Sequence, residues 1–126
     1  TGLRNSLLGT TSISTGLERG NVIETVAFNH ALRLGFHMDG HVRTSGYYWK
    51  SITGEERDII LDVRKSHKAV IPIELKSGQC DDRDIAKVKK TMTEVRAPFG
   101  VIACRNRVGM NRNIVIVPLW VFLLTC

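Results

Sequence analysis

The sequence predicts an α/β domain in which a mixed β-sheet is flanked by helices. Short β-branched apolar segments such as Ile59–Leu61 and Val70–Ile73 are typical of buried strands. Two other segments repeat apolar residues at intervals of three and four, the period of an amphipathic helix. The predicted order is a helix, three antiparallel strands, a second helix and two more strands. Helices placed in this way cover the faces of the sheet.

Length and composition indicate one globular domain. The chain has 126 residues, of which 43% are hydrophobic and 24% charged, ordinary values for a folded domain. The net charge of +6 suits a polyanionic partner such as nucleic acid, although solubility alone accounts for it equally well. Cys80, Cys104 and Cys126 form no metal-type pair and no disulfide framework, so we expect a reducing cytoplasm. No segment is long enough to span a bilayer, and no membrane association is expected.

The first helix is predicted to begin at Asn21 and to end at Gly35. Asn21 is a good N-cap residue, and Glu24 three positions later completes a capping box. Ala27 and Ala31 belong to an apolar stripe, and Glu24 lies on its flank. Glu24 therefore either points toward the sheet or only caps its own helix, and the spacing does not decide between these alternatives.

A hairpin follows a first strand over residues 42–52. Folding the chain about Ser66 places Asp58 opposite Glu74, because each lies eight positions from that point. Lys76 is two residues beyond Glu74 and therefore shares its face of the sheet. The hairpin thus predicts two carboxylates and one ammonium group on one patch. One interpretation is a surface ladder of ion pairs, and the other is a Mg²⁺ site with an assisting lysine.

The second helix is predicted to begin after Asp81 or Asp82 and to continue through about Arg96. Its apolar residues, among them Ile85 and Val88, form one seam. Buried strands are expected at 99–104 and 114–117, with a final apolar turn through residue 124 and a basic loop at 105–112 between the strands. Basic residues of the helix and loop either form a solvated surface or bind a phosphate backbone. The candidate nucleic-acid-binding residues are Lys89, Lys90, Arg105, Arg107 and Arg112.

The helix with Glu24, then Asp58, then a strand spelled I-P-I-E-L-K-S-G resembles the PD-(D/E)XK nuclease superfamily. The resemblance implies a restriction-endonuclease-like core in which Asp58 and Glu74 bind Mg²⁺ or Mn²⁺. It also implies that Lys76 assists the water nucleophile or the transition state, and that Glu24 completes the metal shell. Glu56 is a second-tier candidate. Asp58, Glu74 and Lys76 would be the catalytic residues.

A resemblance over nearly the whole chain is closer still. Gly2–Gly9, the helix from Asn21, the Glu74 strand and Val117–Trp120 are similar to an uncharacterised C-terminal domain of bacterial and archaeal AAA-type ATPase proteins. The resemblance implies that the chain is a C-terminal fragment whose ATPase module lies on its N-terminal side. Two features depart from the wider superfamily. Arg57 stands where an apolar residue is usual, and Gln79 precedes the second helix, which disfavours the RecB-type subclass.

We therefore expect residues 1–126 to form one PD-(D/E)XK-like domain that hydrolyses DNA phosphodiester bonds with Mg²⁺ or Mn²⁺. The alternative is a non-catalytic domain, appended to an AAA-type ATPase, that binds nucleic acid or another partner. A third hypothesis is a plain nucleic-acid binder, whose affinity would depend on salt and not on metal. The sequence leaves open whether copies of the chain associate.

Overall fold

A computed structural model describes residues 16–39, 44–50, 56–63 and 69–125; for residues 16–19, 39 and 56–58 it describes the backbone alone. Three helices and six strands follow one another along these ranges. They are α1 (Gly16–Asp39), β1 (Thr44–Lys50), β2 (Glu56–Val63), β3 (Ala69–Leu75), α2 (Asp82–Val95), β4 (Gly100–Cys104), β5 (Gly109–Asn111), β6 (Ile114–Pro118) and α3 (Leu119–Leu123). Within these ranges, no helix combines the length and apolar character needed to cross a bilayer.

The six strands form one mixed sheet in the order β1-β2-β3-β4-β6-β5. Strand β2 pairs antiparallel with both β1 and β3, whereas β4 pairs parallel with both β3 and β6. The predicted α/β class with a mixed sheet and flanking helices is therefore confirmed. Strand β5 was not predicted, because its three residues carry no apolar alternation and it forms only by pairing antiparallel with β6.

The predicted hairpin register is confirmed. Ile59 pairs with Ile73, Leu61 with Ile71, and Val63 with Ala69, so the two strands are symmetric about residue 66. Residues 64–68, which contain the predicted turn, lie outside the described part of the chain. A slip of one position would move every side chain of the strand to the other face of the sheet. This register therefore fixes which residues of the two strands share a face.

The sheet has a hydrophobic core on each face. On one face, strand residues such as Ile59 and Ile73 pack with Ala27 of α1 and Phe122 of α3. On the other face, Ile102 and its neighbours pack with α2 residues that include Val88. The domain is therefore a three-layer sandwich, with α1 and α3 on one side of the sheet and α2 on the other.

Both predicted ends of the first helix are wrong. Helix α1 begins five residues before Asn21, at Gly16, and the carbonyl of Asn21 accepts a hydrogen bond of 2.8 Å from Thr25 Oγ1 inside the helix. It also continues past Gly35 to Asp39. Gly35 instead permits close packing, since a Cβ there would lie 2.3 Å from Thr44 Cγ2 of β1.

The structure confirms the predicted start and end of the second helix. Asp81 is the N-cap of α2, and Asp84 at the third helical position completes a reciprocal capping box. Arg96 ends the helix in the left-handed conformation with φ of 54°, and its N–H reaches the carbonyl of Met92. The start of α2 is therefore fixed after a connection of six residues from β3, which matters for the site.

Gly100 of β4 allows α2 to pack closely on the sheet, and we expect Gly100→Ala to lower the free energy of unfolding by about 1–3 kcal/mol. A Cβ at this position would lie 2.6 Å from Val88 Cγ1 and 3.1 Å from Met92 Sδ, and Val88 is fully buried. Chemical denaturation measures the change. Gly109→Ala is the matched control, because nothing lies within 4 Å of its added Cβ. Equal stability of the two variants would contradict this packing argument.

Candidate functional site

The candidate site lies where the three parallel strands end. In register, Leu75 of β3 pairs with Ala103, and Cys104 of β4 pairs with Pro118 of β6. The carboxyl ends of β3, β4 and β6 therefore form one edge, and the next residue after β4 is Arg105. Its N–H donates a 2.8 Å hydrogen bond to the carbonyl of Gly78, which ties the loop after β3 to this edge. Open α/β sheets commonly bind ligands at this edge.

Two buried carboxylates converge there on one lysine. The ammonium of Lys76 lies 3.3 Å from Glu74 Oε1 and 3.1 Å from Asp84 Oδ1. Glu74 is 5% exposed and Asp84 is 7% exposed, whereas Lys76 is half-buried. We call these three residues the acid–lysine cluster. Glu74 pairs in register with Ile102, which belongs to the core beneath α2, so the cluster lies on the α2 face of the sheet.

The charges of the acid–lysine cluster stabilise one another. Burial alone would lower the pKa of Lys76, but hydrogen bonding to Asp84 and the negative charge of Glu74 outweigh it, and the pKa is raised. Burial alone would raise the pKa of Asp84, but the Asp81 N–H and the Lys76 ammonium outweigh it, and the pKa is lowered. Lys76 is therefore protonated and Asp84 ionised at neutral pH.

The structure adds Asp84 to the site, a residue that the sequence analysis did not identify. One carboxylate oxygen, Oδ2, accepts a 3.0 Å hydrogen bond from the N–H of Asp81, and the other accepts from Lys76. The capping spacing Asp81-x-x-Asp84 was a usable signal, because it fixes Asp84 in the first turn of a helix that begins close after the Lys76 strand. Such a carboxylate has one oxygen to spare for a neighbouring cation.

Asp58 lies in β2 next to an irregularity of the sheet. The pairing of β2 with β3 extends from Val63–Ala69 to Ile59–Ile73 and includes no pair for Asp58. The pairing of β1 with β2 shifts between Tyr47, which pairs with Ile60, and Trp49, which pairs with Arg57, so two β2 residues stand against one β1 residue. The side chains of Asp58 and Glu56 lie outside the described part of the structure. The placement of Asp58 opposite Glu74 therefore stays a prediction.

Glu24 reaches the same edge from the opposite layer. It lines a cleft of about 190 Å³ together with Lys76, Ser77 and Gln79. Its alternative interpretation, capping of its own helix, is wrong because α1 begins at Gly16 and position 24 lies in its third turn. The structure therefore brings Glu24 and Lys76 to one cleft.

The five predicted nucleic-acid-binding residues do not form one surface. Arg105 lies at the carboxyl edge of the sheet, beside the cleft of Lys76. Lys89 and Arg112 line a separate cleft of about 420 Å³ near the start of β6, and Lys90 is exposed on α2. Arg107 contacts the core, since its Nη1 donates to the carbonyl of Cys80 at 3.3 Å. Of the five, Arg105 lines the groove that borders the Lys76 cleft.

The donors at this site suit a hard divalent cation. Glu74 and Asp84 already place carboxylate oxygens within 3.3 Å of one cation, the Lys76 ammonium, and oxygen ligands of this kind are those that Mg²⁺ prefers. Among the side chains that the structure describes, no group of three or more His, Cys, Asp or Glu residues is arranged to hold a metal. Asp58 would supply the further carboxylate from β2.

Comparison with known proteins places the chain in a family. Residues 19–122 match the family model described as a domain of unknown function, DUF4143. No curated protein and no solved structure matches the chain. The matched segment includes most of α1, strands β1 to β6, α2 and the greater part of α3, and it contains Glu24, Asp58, Glu74, Lys76 and Asp84. The chain therefore belongs to the DUF4143 family.

Proposed function

We propose that this domain is a Mg²⁺- or Mn²⁺-dependent phosphodiesterase of the PD-(D/E)XK type that hydrolyses DNA. The observation that carries the proposal is the contact of Glu74 with Lys76, whose carboxylate and ammonium lie 3.3 Å apart at the carboxyl edge of the sheet, on a hairpin that is symmetric about residue 66. The element order of a helix, three antiparallel strands, a helix and a parallel strand supports the restriction-endonuclease-like core. The net charge of +6 suits a polyanionic substrate.

Asp58 and Glu74 would hold the metal, and Glu24 would complete its shell from the α1 layer. When bound, such a metal lowers the pKa of a coordinated water and neutralises charge on the phosphate. Lys76 acts as a donor and not as a general base, because its raised pKa keeps it protonated at neutral pH. Its ammonium would stabilise the negative charge that develops on the phosphate oxygens.

Asp84 is a positioning residue in this proposal. Its Oδ2 is fixed by the N–H of Asp81, so its Oδ1 presents a stationary negative charge to Lys76. If Glu74 held a metal, Asp84 would still keep the ammonium near the cleft. The ion pair with Asp84 therefore preserves the orientation and the protonated state of Lys76.

Removal of a metal ligand tests the proposal. Glu74→Gln and Asp58→Asn are each expected to lower the rate of Mg²⁺- or Mn²⁺-dependent cleavage of plasmid and branched DNA by about 10²-fold or more. Asp82→Asn is the matched control, because it removes the same charge from an exposed position of α2. Calorimetry should show metal binding by the control and its loss in the other two variants. Unchanged cleavage by either site variant would refute the assignment.

The second candidate is a non-catalytic module that binds nucleic acid or a protein partner beside an AAA-type ATPase. One observation favours it: Lys76 already gives both carboxylates a cationic partner at 3.3 Å or less without a metal. This candidate predicts no calorimetric binding of Mg²⁺ or Mn²⁺ at millimolar concentration. It also predicts that Glu74→Gln leaves partner binding unchanged.

A further inference from the structure

A second groove continues from the cleft of Lys76 along the same edge of the sheet. Its volume is about 500 Å³, within the range of about 300–1,000 Å³ that small-ligand sites occupy. It is lined by Ile23, Ser77, Arg105, Leu119, Trp120 and Leu123. Ile23 and Ser77 also line the Glu24–Lys76 cleft, so the two spaces share a wall. We call this space the Trp120 groove.

Trp120 presents an aromatic surface in this groove. It is 62% exposed on α3, whereas Phe122 of the same helix is 3% exposed and belongs to the core. A tryptophan buries a large area when a planar partner covers it, and an exposed one beside a cleft is suited to stacking. Every nucleobase has such a planar face, so stacking of this kind tolerates any sequence.

Arg105 supplies a positive charge to the same groove. Its backbone is anchored by the 2.8 Å hydrogen bond to Gly78, and its side chain is exposed. Within the described ranges, its guanidinium makes no ion pair. A guanidinium is well suited to a phosphate group, because it donates two parallel hydrogen bonds. The groove therefore combines an aromatic face, a phosphate-binding group and an apolar wall.

We propose that the Trp120 groove binds an unpaired nucleotide of a DNA strand, with its base stacked on Trp120 and its phosphate held by Arg105. The base must be unpaired because paired bases in a duplex are stacked on their neighbours and present no free face. A strand seated there passes directly into the cleft of Lys76 and Glu24. The inference rests on the proposed function for what happens in that cleft, but binding in the groove itself needs no metal.

The proposal specifies the substrate as a strand with unpaired nucleotides next to the cleavage site, such as a single strand, a flap or a branch. An intact duplex would meet Arg105 but could not place a base on Trp120. The net charge of +6 favours a polyanion over an apolar peptide with few acidic residues as the occupant of the groove. We therefore expect a preference for single-stranded over blunt double-stranded DNA of equal length.

Fluorescence anisotropy with the 126-residue chain in EDTA tests the groove without hydrolysis. Trp120→Ala should weaken binding of a labelled oligothymidylate by about 5- to 150-fold, the range measured for loss of one stacked base. Trp120→Phe should retain most of the affinity, and Arg105→Gln should weaken it and reduce its salt dependence. Tyr47→Ala is the matched control, because Tyr47 is also an exposed aromatic residue, at 50% against 62% for Trp120, and lies on the edge strand β1.

A second measurement reports on Trp120 directly. In a Trp49→Phe background, Trp120 is the remaining tryptophan, and oligothymidylate should quench its fluorescence while a blunt duplex should not. Wild-type affinity in Trp120→Ala, or equal quenching by both DNAs, would overturn the proposal that the Trp120 groove binds an unpaired nucleotide. Binding in EDTA that depends on Trp120, without cleavage in Mg²⁺ or Mn²⁺, would support the groove and refute the proposed hydrolysis. Cleavage in Mg²⁺ or Mn²⁺ together with binding that does not depend on Trp120 would support the proposed hydrolysis and refute the groove.

Discussion

Lys76→Met should reduce metal-dependent DNA hydrolysis by about 10²- to 10³-fold, the effect of removing one donor to a developing negative charge. The side chain keeps its length and apolar stem but loses the ammonium that lies 3.1–3.3 Å from Asp84 and Glu74. The free energy of unfolding should also fall by about 1–3 kcal/mol, because two buried carboxylates lose a donor. Single-turnover cleavage at a temperature where circular dichroism shows the variant folded separates the two effects.

Arg33→Met is the control for this variant, because it removes the same charge from an exposed position of α1. It should cleave DNA at the wild-type rate. If Lys76→Met cleaves as fast as the control while folded, Lys76 has no part in the chemistry. If it loses stability alone, the acid–lysine cluster is a structural ion-pair network.

Asp84→Asn should lower the free energy of unfolding by about 2–3 kcal/mol. Asp84 accepts one hydrogen bond from the Asp81 N–H and another from the Lys76 ammonium. An asparagine has one oxygen and one NH₂ group, so it can accept only one of these bonds and turns a donor toward the other. Chemical denaturation measures the loss, and Asp82→Asn, two residues away and exposed, should change stability by no more than about 0.5 kcal/mol.

The difference between wild type and Asp84→Asn should depend on pH in a defined direction. The pKa of Asp84 is lowered in the folded protein, so its stabilisation is complete above the unfolded value near 3.8 and is lost as pH falls through the folded value. The pKa of Lys76 is raised, so its contribution persists below the unfolded value of 10.5 and is lost at higher pH. The difference should therefore be constant near neutrality and shrink at both extremes. A constant difference down to the most acidic pH would contradict the ion pair.

The sequence was sufficient to predict those features of the fold that are decided by residues close together in the chain. The hairpin register followed from the alternation of apolar residues about Ser66, and the start of α2 followed from the capping preference of Asp81. The ends of α1 did not follow, because Asn21 and Gly35 have the local character of cap residues but serve other purposes. Gly35 is required by the approach of Thr44 from β1, a contact that sequence spacing does not contain.

The candidate site was predictable to the same extent. Glu74 and Lys76 are two positions apart, and the N–H of Lys76 continues the pairing just beyond β3 by donating to the carbonyl of Ala103 at 2.8 Å. They therefore share a face, and the structure places their charged groups 3.3 Å apart. Asp84 was missed because it comes from α2, whose placement against β3 depends on tertiary packing. The basic residues could not be assigned to one surface for the same reason: Arg105 and Arg112 belong to one loop in sequence but to different clefts.

The dual hydrogen bonding of Asp84 links two events that would otherwise be independent. Fraying of the first turn of α2 breaks its bond to Asp81 and moves the same carboxylate away from Lys76. The amine is therefore released whenever this turn unwinds, and helix nucleation and site assembly become one cooperative step. A substitution of Asp84 would therefore affect both the folding of α2 and the function of Lys76.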